Sequence, residues 1–255
     1  MNPLPDPLRV AALVREVAAT EILPRFGHLT PGQIQEKAPG QLVTEADLAA
    51  ERALIRGLAA LAPGVPCVGE EGVAANPALL RVLEQPGPAW VIDPVDGTAN
   101  FARGSVRFAV ILALVIDGET RQGWIFDPVA DRMMMAEQGS GAWEEGHRLV
   151  VPPGGPLPTL SGSIRHGSRL HHQVACTLRQ GSAAHDYLDL ARGTLHFAHF
   201  RGLMPWDHAA GVLIHAEAGG YGRMIDSTPY CPQASKRTLL LAPDAVCWEA
   251  LRAAL

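Results

Sequence analysis

The sequence predicts a mixed α/β fold. Three observations predict it: helical amphipathic periodicity near the start of the chain, a train of short apolar strands between residues 66 and 144, and helices alternating with strands after residue 183. A chain of 255 residues that is 47% hydrophobic and 18% charged can bury a substantial core, so disorder is not expected.

From Leu8 to Leu23 the residues Leu8, Ala11, Ala12, Val14, Ala18, Ala19 and Ile22 share one face, which predicts a helix ending near Pro24 and Gly27. Thr44 followed three residues later by Asp47 resembles a helix cap. Leu48, Leu54, Ile55, Leu58 and Leu61 carry that helix to Pro63, with Asp47 in its first turn. Strand signals follow at Pro66–Gly69, Ala89–Asp93 and Phe108–Ile116, the last turning at Asp117-Gly118 into Gln122–Phe126. Met133–Glu137 and Gly141–Glu144 extend the antiparallel meander. Val150–Pro158, dense in proline and glycine, reads as a hinge. Beyond it the pattern predicts helices at Ala183–Ala191, Trp206–Ala218 and Asp244–Ala254, and strands at Gly193–Phe200 and Leu239–Ala242.

No apolar run approaches the roughly 20 residues a bilayer-spanning helix needs. Met1 to Pro7 lack the basic and apolar regions of a signal peptide, so the expectation is a cytoplasmic protein with no membrane partner. A net charge of −5 without a Lys/Arg block argues against nucleic acid. Cys67, Cys176, Cys231 and Cys247 show no C-x-x-C spacing and read as reduced thiols rather than disulfides or zinc ligands.

The chemistry gathers where apolar strands end in acids. In Trp90-Val91-Ile92-Asp93-Pro94-Val95-Asp96-Gly97-Thr98 a buried strand runs into two carboxylates separated by a two-residue bend. By itself this segment also reads as a turn, since Asp and Gly are common turn residues. Two acids so close repel unless a cation lies between them, and hard divalent ions take such oxygen ligands. Gly69-Glu70-Glu71-Gly72 places acids after another short strand, and Trp206-Asp207 places one at a helix start. Three carboxylate clusters at element ends suit a polynuclear Mg²⁺ site.

These residues resemble the inositol monophosphatase family. Gly69-Glu70-Glu71, Asp93-Pro94-Val95-Asp96-Gly97-Thr98 with Asn100-Phe101, and Trp206-Asp207 with Glu217-Ala218-Gly219-Gly220 match its signatures in order and approximate spacing. Lys37, Leu42-Val43-Thr44-Glu45-Ala46-Asp47 and Gly181-Ser182-Ala183 extend the likeness over nearly the whole chain.

The resemblance implies a layered αβαβα sandwich, one domain over 1–255 with a metal-site half (about 1–150) and a substrate-side half (about 151–255). It implies a homodimer, inhibition by lithium, and two or three Mg²⁺ ions per site. Glu70, Asp93 and the Val95 carbonyl would hold one ion, and Asp93, Asp96 and Asp207 a second. Thr98, linked to Asp47, would position and deprotonate the attacking water, with Glu70 also counted as catalytic. Gly97 and Thr98 would receive the phosphate through backbone N–H groups, and Ser168, Ala183 and Phe200 would contact the substrate.

Two departures from the family pattern are Gln41, where Asp often precedes Leu-Val-Thr, and Phe200, where a Glu often binds inositol hydroxyls. The expected activity is Mg²⁺-dependent hydrolysis of a small phosphate monoester, inositol 1-phosphate or a related polyol phosphate. The alternatives are 3′-phosphoadenosine 5′-phosphate, histidinol phosphate or fructose 1,6-bisphosphate as substrate, or a regulatory binding protein that retains the fold.

Overall fold

The computed structural model describes residues 4–164 and 168–255; Met1–Pro3, part of the segment read as lacking a leader, lie outside the described residues. Asp6 caps α1 (Pro7–Val17) by accepting from the Leu8 N–H, and Pro7 occupies the first turn, where its missing N–H costs nothing. The helix expected to run to Leu23 is α-helical only to Val17. It then widens into a π turn over Ala18–Ile22 and closes as a 3₁₀ turn at Leu23–Arg25. Pro24 has no N–H to donate to the preceding turn, which is why the regular ladder cannot continue.

A hairpin of β1 (Ile34–Ala38) and β2 (Gln41–Thr44) leads into α2 (Glu45–Leu61) through a complete capping box: Thr44 caps the helix, and the Asp47 side chain returns a bond to Thr44. Then come β3 (Cys67–Gly69), α3 (Glu70–Ala75), β4 (Pro88–Asp96), α4 (Thr98–Ala102), β5 (Ala109–Ile116), β6 (Glu119–Asp127), β7 (Arg132–Glu137), β8 (Gly141–Glu144) and β9 (His147–Arg148). β3 to β9 form one seven-stranded sheet in sequence order, with β3 parallel to β4 and the remaining pairs antiparallel. The Asp117-Gly118 turn between β5 and β6 has both residues at positive φ, 52° and 78°, the geometry that matches strand twist in a two-residue hairpin.

The second half supplies β10 (Ser161–Ser163), β11 (Cys176–Leu178), α5 (Ala183–Arg192), β12 (Phe197–Leu203), α6 (Pro205–Glu217), β13 (Tyr221–Met224), β14 (Ser235–Ala242) and α7 (Ala245–Ala254). Its sheet has the order β11-β10-β12-β14-β13. The strand expected from Gly193 begins instead at Phe197, because Gly193 at φ 72° is the left-handed terminator of α5.

Alternating side chains distribute the strands between layers. Trp90, Ile92, Leu112, Leu114 and Trp124 pack on α1 and α2, whereas Val91, Ile111, Ala113 and Ile125 pack on α5 and α6. Ala198, Leu239 and Leu241 of the second sheet meet the same helices, and Phe197, Leu240 and Ala242 face α7. The result is the αβαβα stack. α6 sits tightly on the large sheet because Gly123 of β6 has no side chain: a Cβ there would lie 2.8 Å from the Cα of Ala210.

Candidate active site

The β4 strand delivers its acids through a break in its pairing. Asp93 opposes Ile111 and Asp96 opposes Ala109, so three steps on β4 match two on β5, and the strand bulges between the two acids. The Asp93 carboxylate accepts from the Val95 N–H at 3.0 Å, which pins the bend. Gly97, at φ 84°, turns the chain into α4; a Cβ at that position would lie 2.8 Å from the Arg107 carbonyl oxygen.

Asp207 enters from the first turn of α6, where a helix start favours negative charge. Carboxylate oxygens of Asp93, Asp96 and Asp207 all come within 4.8 Å of one another. Burial, followed by the charge of Glu70 and of the neighbouring aspartates, pushes the Asp93 carboxyl well above its usual range. Burial and then Asp96 and Glu70 do the same to Asp207. A buried, all-oxygen group of like charges is the donor set of a hard divalent cation, whose charge would remove the repulsion, so these residues fit such an ion.

Asp96 also has protein donors. The Ser182 hydroxyl donates to it, as do the Ala183 and Ala184 N–H groups at 3.2 and 2.8 Å, so the carboxylate sits on the N-terminus of α5. These bonds draw its pKa down, against the burial that raises it.

The Thr98 hydroxyl lies 3.0 Å from Asp47 Oδ1 and 3.0 Å from the Val95 carbonyl oxygen, two acceptors for one proton. The other Asp47 oxygen accepts from the Thr44 N–H at 2.8 Å and the Thr44 hydroxyl at 2.5 Å. Burial raises the Asp47 carboxyl to about 6, against these bonds.

Glu70, at the start of α3, stands outside the tight three-aspartate group. Lys37 Nζ bonds it at 2.6 Å and Glu71 at 2.7 Å. Burial alone would lower the Lys37 ammonium, but the two glutamates outweigh it and hold it above its usual value. Glu51 accepts from the Glu71 and Gly72 N–H groups at 2.9 and 2.7 Å, fixing the start of α3.

A cavity of about 500 Å³ opens beside Asp207, with Ala183, Phe200, Asp186, Arg179 and Arg201 in its walls. Phe200 lies nearly parallel to Tyr187, with ring centroids 5.2 Å apart and an interplanar angle of 24°, and packs 4.8 Å from His208. Ser168 is not among the residues lining this cavity; it caps a 3₁₀ turn by accepting from the Leu170 N–H. Ser163 and Ser182 are the serines that do line it. His208 is held to about 3 by burial and His199 to about 4 by burial and then Arg201, so both rings are neutral near pH 7.

Lys37, Glu51, Ser182 and Asp186 also bond at the site, beyond the acids and threonine that the sequence marks. Ser182 carried a usable signal, a serine immediately before a helical segment. The others meet the site through tertiary contacts that no local spacing encodes.

Such a stack, with acids converging from the end of β4 and the start of α6, is the build of a metal-dependent phosphoric monoester hydrolase. The model of the inositol monophosphatase family matches residues 6–252, and the chain belongs to that family. It is similar to an inositol-1-monophosphatase of Mesorhizobium japonicum, with 34% identity over 79% of this chain and 79% of the relative. It is also similar to a Nus factor SuhB of Xylella fastidiosa, with 31% identity over 80% of this chain and 76% of the relative. Among solved structures, an IMPase of Thermotoga maritima superimposes with a TM-score of 0.83 at 26% identity, covering 96% of this chain and 94% of that one.

Proposed function

We propose that this phosphatase hydrolyses a small polyol phosphate, such as inositol 1-phosphate, with Mg²⁺ as its cofactor. The observation that carries the reading is the convergence of Asp93, Asp96 and Asp207 within 4.8 Å, largely out of solvent. Oxygen-only donors favour Mg²⁺ over softer ions. Asp93 would help hold two cations, one together with Glu70 and the Val95 carbonyl, the other together with Asp96 and Asp207. When bound, the cations supply an acidified water and offset charge on the phosphate oxygens.

The chain's own groups do the rest. Thr98 orients the attacking water and passes a proton toward Asp47, whose buried carboxylate accepts it readily. Gly97 and Thr98 stand at the start of α4, where first-turn N–H groups lack intrahelical acceptors and receive phosphate oxygens. Ala183 and Phe200 wall the cavity on the leaving-group side. Family membership supports lithium inhibition, a homodimer and cytoplasmic residence as parts of the same reading. No helix among the described residues is long and apolar enough to cross a membrane.

The test is phosphate release from inositol 1-phosphate, 3′-phosphoadenosine 5′-phosphate, histidinol phosphate and fructose 1,6-bisphosphate, with and without Mg²⁺. Mg²⁺-dependent release from a polyol phosphate is expected; release independent of Mg²⁺, or from no compound, overturns the reading. A second reading, a regulatory protein that retains the fold, is supported by the name of the Xylella relative, Nus factor SuhB. The complete carboxylate set weighs against a purely non-catalytic role.

A further inference from the structure

β11, β10 and β12 run parallel, with Leu178, Ser163 and Ala198 abreast. Their carboxyl ends form one rim of the cavity beside Asp207, in the position where open sheets place ligands. Arg179 follows directly on β11, and Arg201 lies near the end of β12, so the two arginines flank β10 from opposite sides. Two strand spacings separate their backbones by roughly 10 Å. Both residues are exposed and belong to the cavity wall, and neither forms an ion pair with an acidic side chain among the described residues.

Two arginines without an acidic partner thus stand in the wall of a cavity that Asp207 of the aspartate cluster also lines. Guanidinium is a planar fork that matches phosphate and carboxylate oxygens and does not lose its charge. A neutral polyol would leave both exposed forks to water. Asp186, the acid in the same wall, offers little opposition: its oxygens accept from the Ser163 hydroxyl at 2.7 Å and the Gln180 amide at 3.1 Å, and burial raises its carboxyl to about 7.

We propose that Arg179 and Arg201 are specificity-determining residues that select, among polyol phosphates, a substrate bearing a second anionic group, phosphate or carboxylate, remote from the scissile phosphate. The inference rests on the reading of the aspartate cluster as the hydrolytic site. It also gives the apolar Phe200 a place, since selection then runs through the remote anion rather than through a side-chain acceptor for hydroxyl groups.

The experiment compares glucitol 6-phosphate, glucitol 1,6-bisphosphate and 6-phosphogluconate, which share a carbon chain and differ in the remote group. kcat/KM is measured for the wild type, Arg201→Ala, Arg201→Lys and the Arg179→Ala/Arg201→Ala double variant. The wild type is expected to favour the two compounds with a second anionic group by about tenfold or more, the double variant to lose that ratio, and Arg201→Lys to keep part of it. Equal kcat/KM for all three compounds in the wild type, or an unchanged ratio in the double variant, overturns the proposal.

Equilibrium binding of the same compounds to Asp93→Asn, with and without the arginine substitutions, separates the two readings. If no compound is hydrolysed, the hydrolytic reading fails. The selectivity inference then stands if binding still favours the second anion through the arginines, and falls if it does not.

Discussion

The Ser182 hydroxyl donates to the Asp96 carboxylate and accepts from the His185 N–H, so one oxygen both caps α5 and orients an acid of the cluster. The start of α5 and the end of β4 are therefore a single unit. A distortion of the helix start is felt at the cation position.

Ser182→Ala should show both roles. Loss of a serine cap costs about 1 kcal/mol, or a fall in Tm of about 2–4 °C for a chain of this size. Loss of the bond to Asp96 should raise the Mg²⁺ concentration for half-maximal activity by about tenfold. Calorimetry and a Mg²⁺ titration of turnover read the two effects separately. A fall in Tm with an unchanged Mg²⁺ requirement would leave Ser182 as a cap alone.

Thr98→Ala removes the hydroxyl that links Val95 and Asp47. kcat should fall by about 100-fold or more, whereas Thr98→Ser, which keeps the hydroxyl, should retain most activity. Equal losses in both variants would mean that the methyl group, not the proton, matters.

Gly123 tests how the fold serves the site. In Gly123→Ala the new Cβ meets the backbone of Ala210 at 2.8 Å, so α6 must lift and carry Asp207 with it. Overpacking of this kind costs about 1–3 kcal/mol, a Tm loss of about 2–12 °C. A matching rise in the Mg²⁺ requirement is expected in a titration of activity, although Gly123 lies on the sheet and outside the aspartate cluster.

Asp186 gives a pH prediction with a defined sign. Burial raises its carboxyl from 3.8 to about 7, so between those values the native protein keeps a proton that the unfolded chain has released. Stability therefore falls as pH rises through that window. Asp186→Asn should remove this component, flattening the dependence of unfolding free energy on pH by on the order of 4 kcal/mol. Urea unfolding at a series of pH values, in chelator, checks it; parallel curves for the two proteins would contradict it.

The legible parts of the fold were those with local causes. Thr44 and Asp47 announced α2 through their spacing, Asp117-Gly118 announced the β5–β6 hairpin, and the apolar run before Asp93 announced a buried strand. The elements missed were short or weakly apolar, such as β10 (Ser-Gly-Ser) and α3 (Glu-Glu-Gly-Val-Ala-Ala), whose stability comes from neighbours rather than propensity. Asp93, Asp96 and Asp207 could be picked out as acids at element ends, and the structure brings them together. Lys37, paired to Glu70 across 33 positions, depends on tertiary approach that spacing does not reveal, and although Ser182 reads locally as a helix cap, its bond to Asp96 across 86 positions does not. Ser168, expected beside substrate, caps a 3₁₀ turn by accepting from the Leu170 N–H.

The central claim is that the aspartate cluster works by holding divalent cations, and Asp93→Asn tests it most directly, since the amide keeps the shape and removes the charge. Mg²⁺-dependent phosphate release should saturate with Mg²⁺ in the wild type and fall by about 1,000-fold or more in the variant, while the variant in chelator unfolds no more easily because a buried repulsion has been relieved. A folded Asp93→Asn protein that turns over at the wild-type rate, with the wild-type Mg²⁺ dependence, would contradict the account.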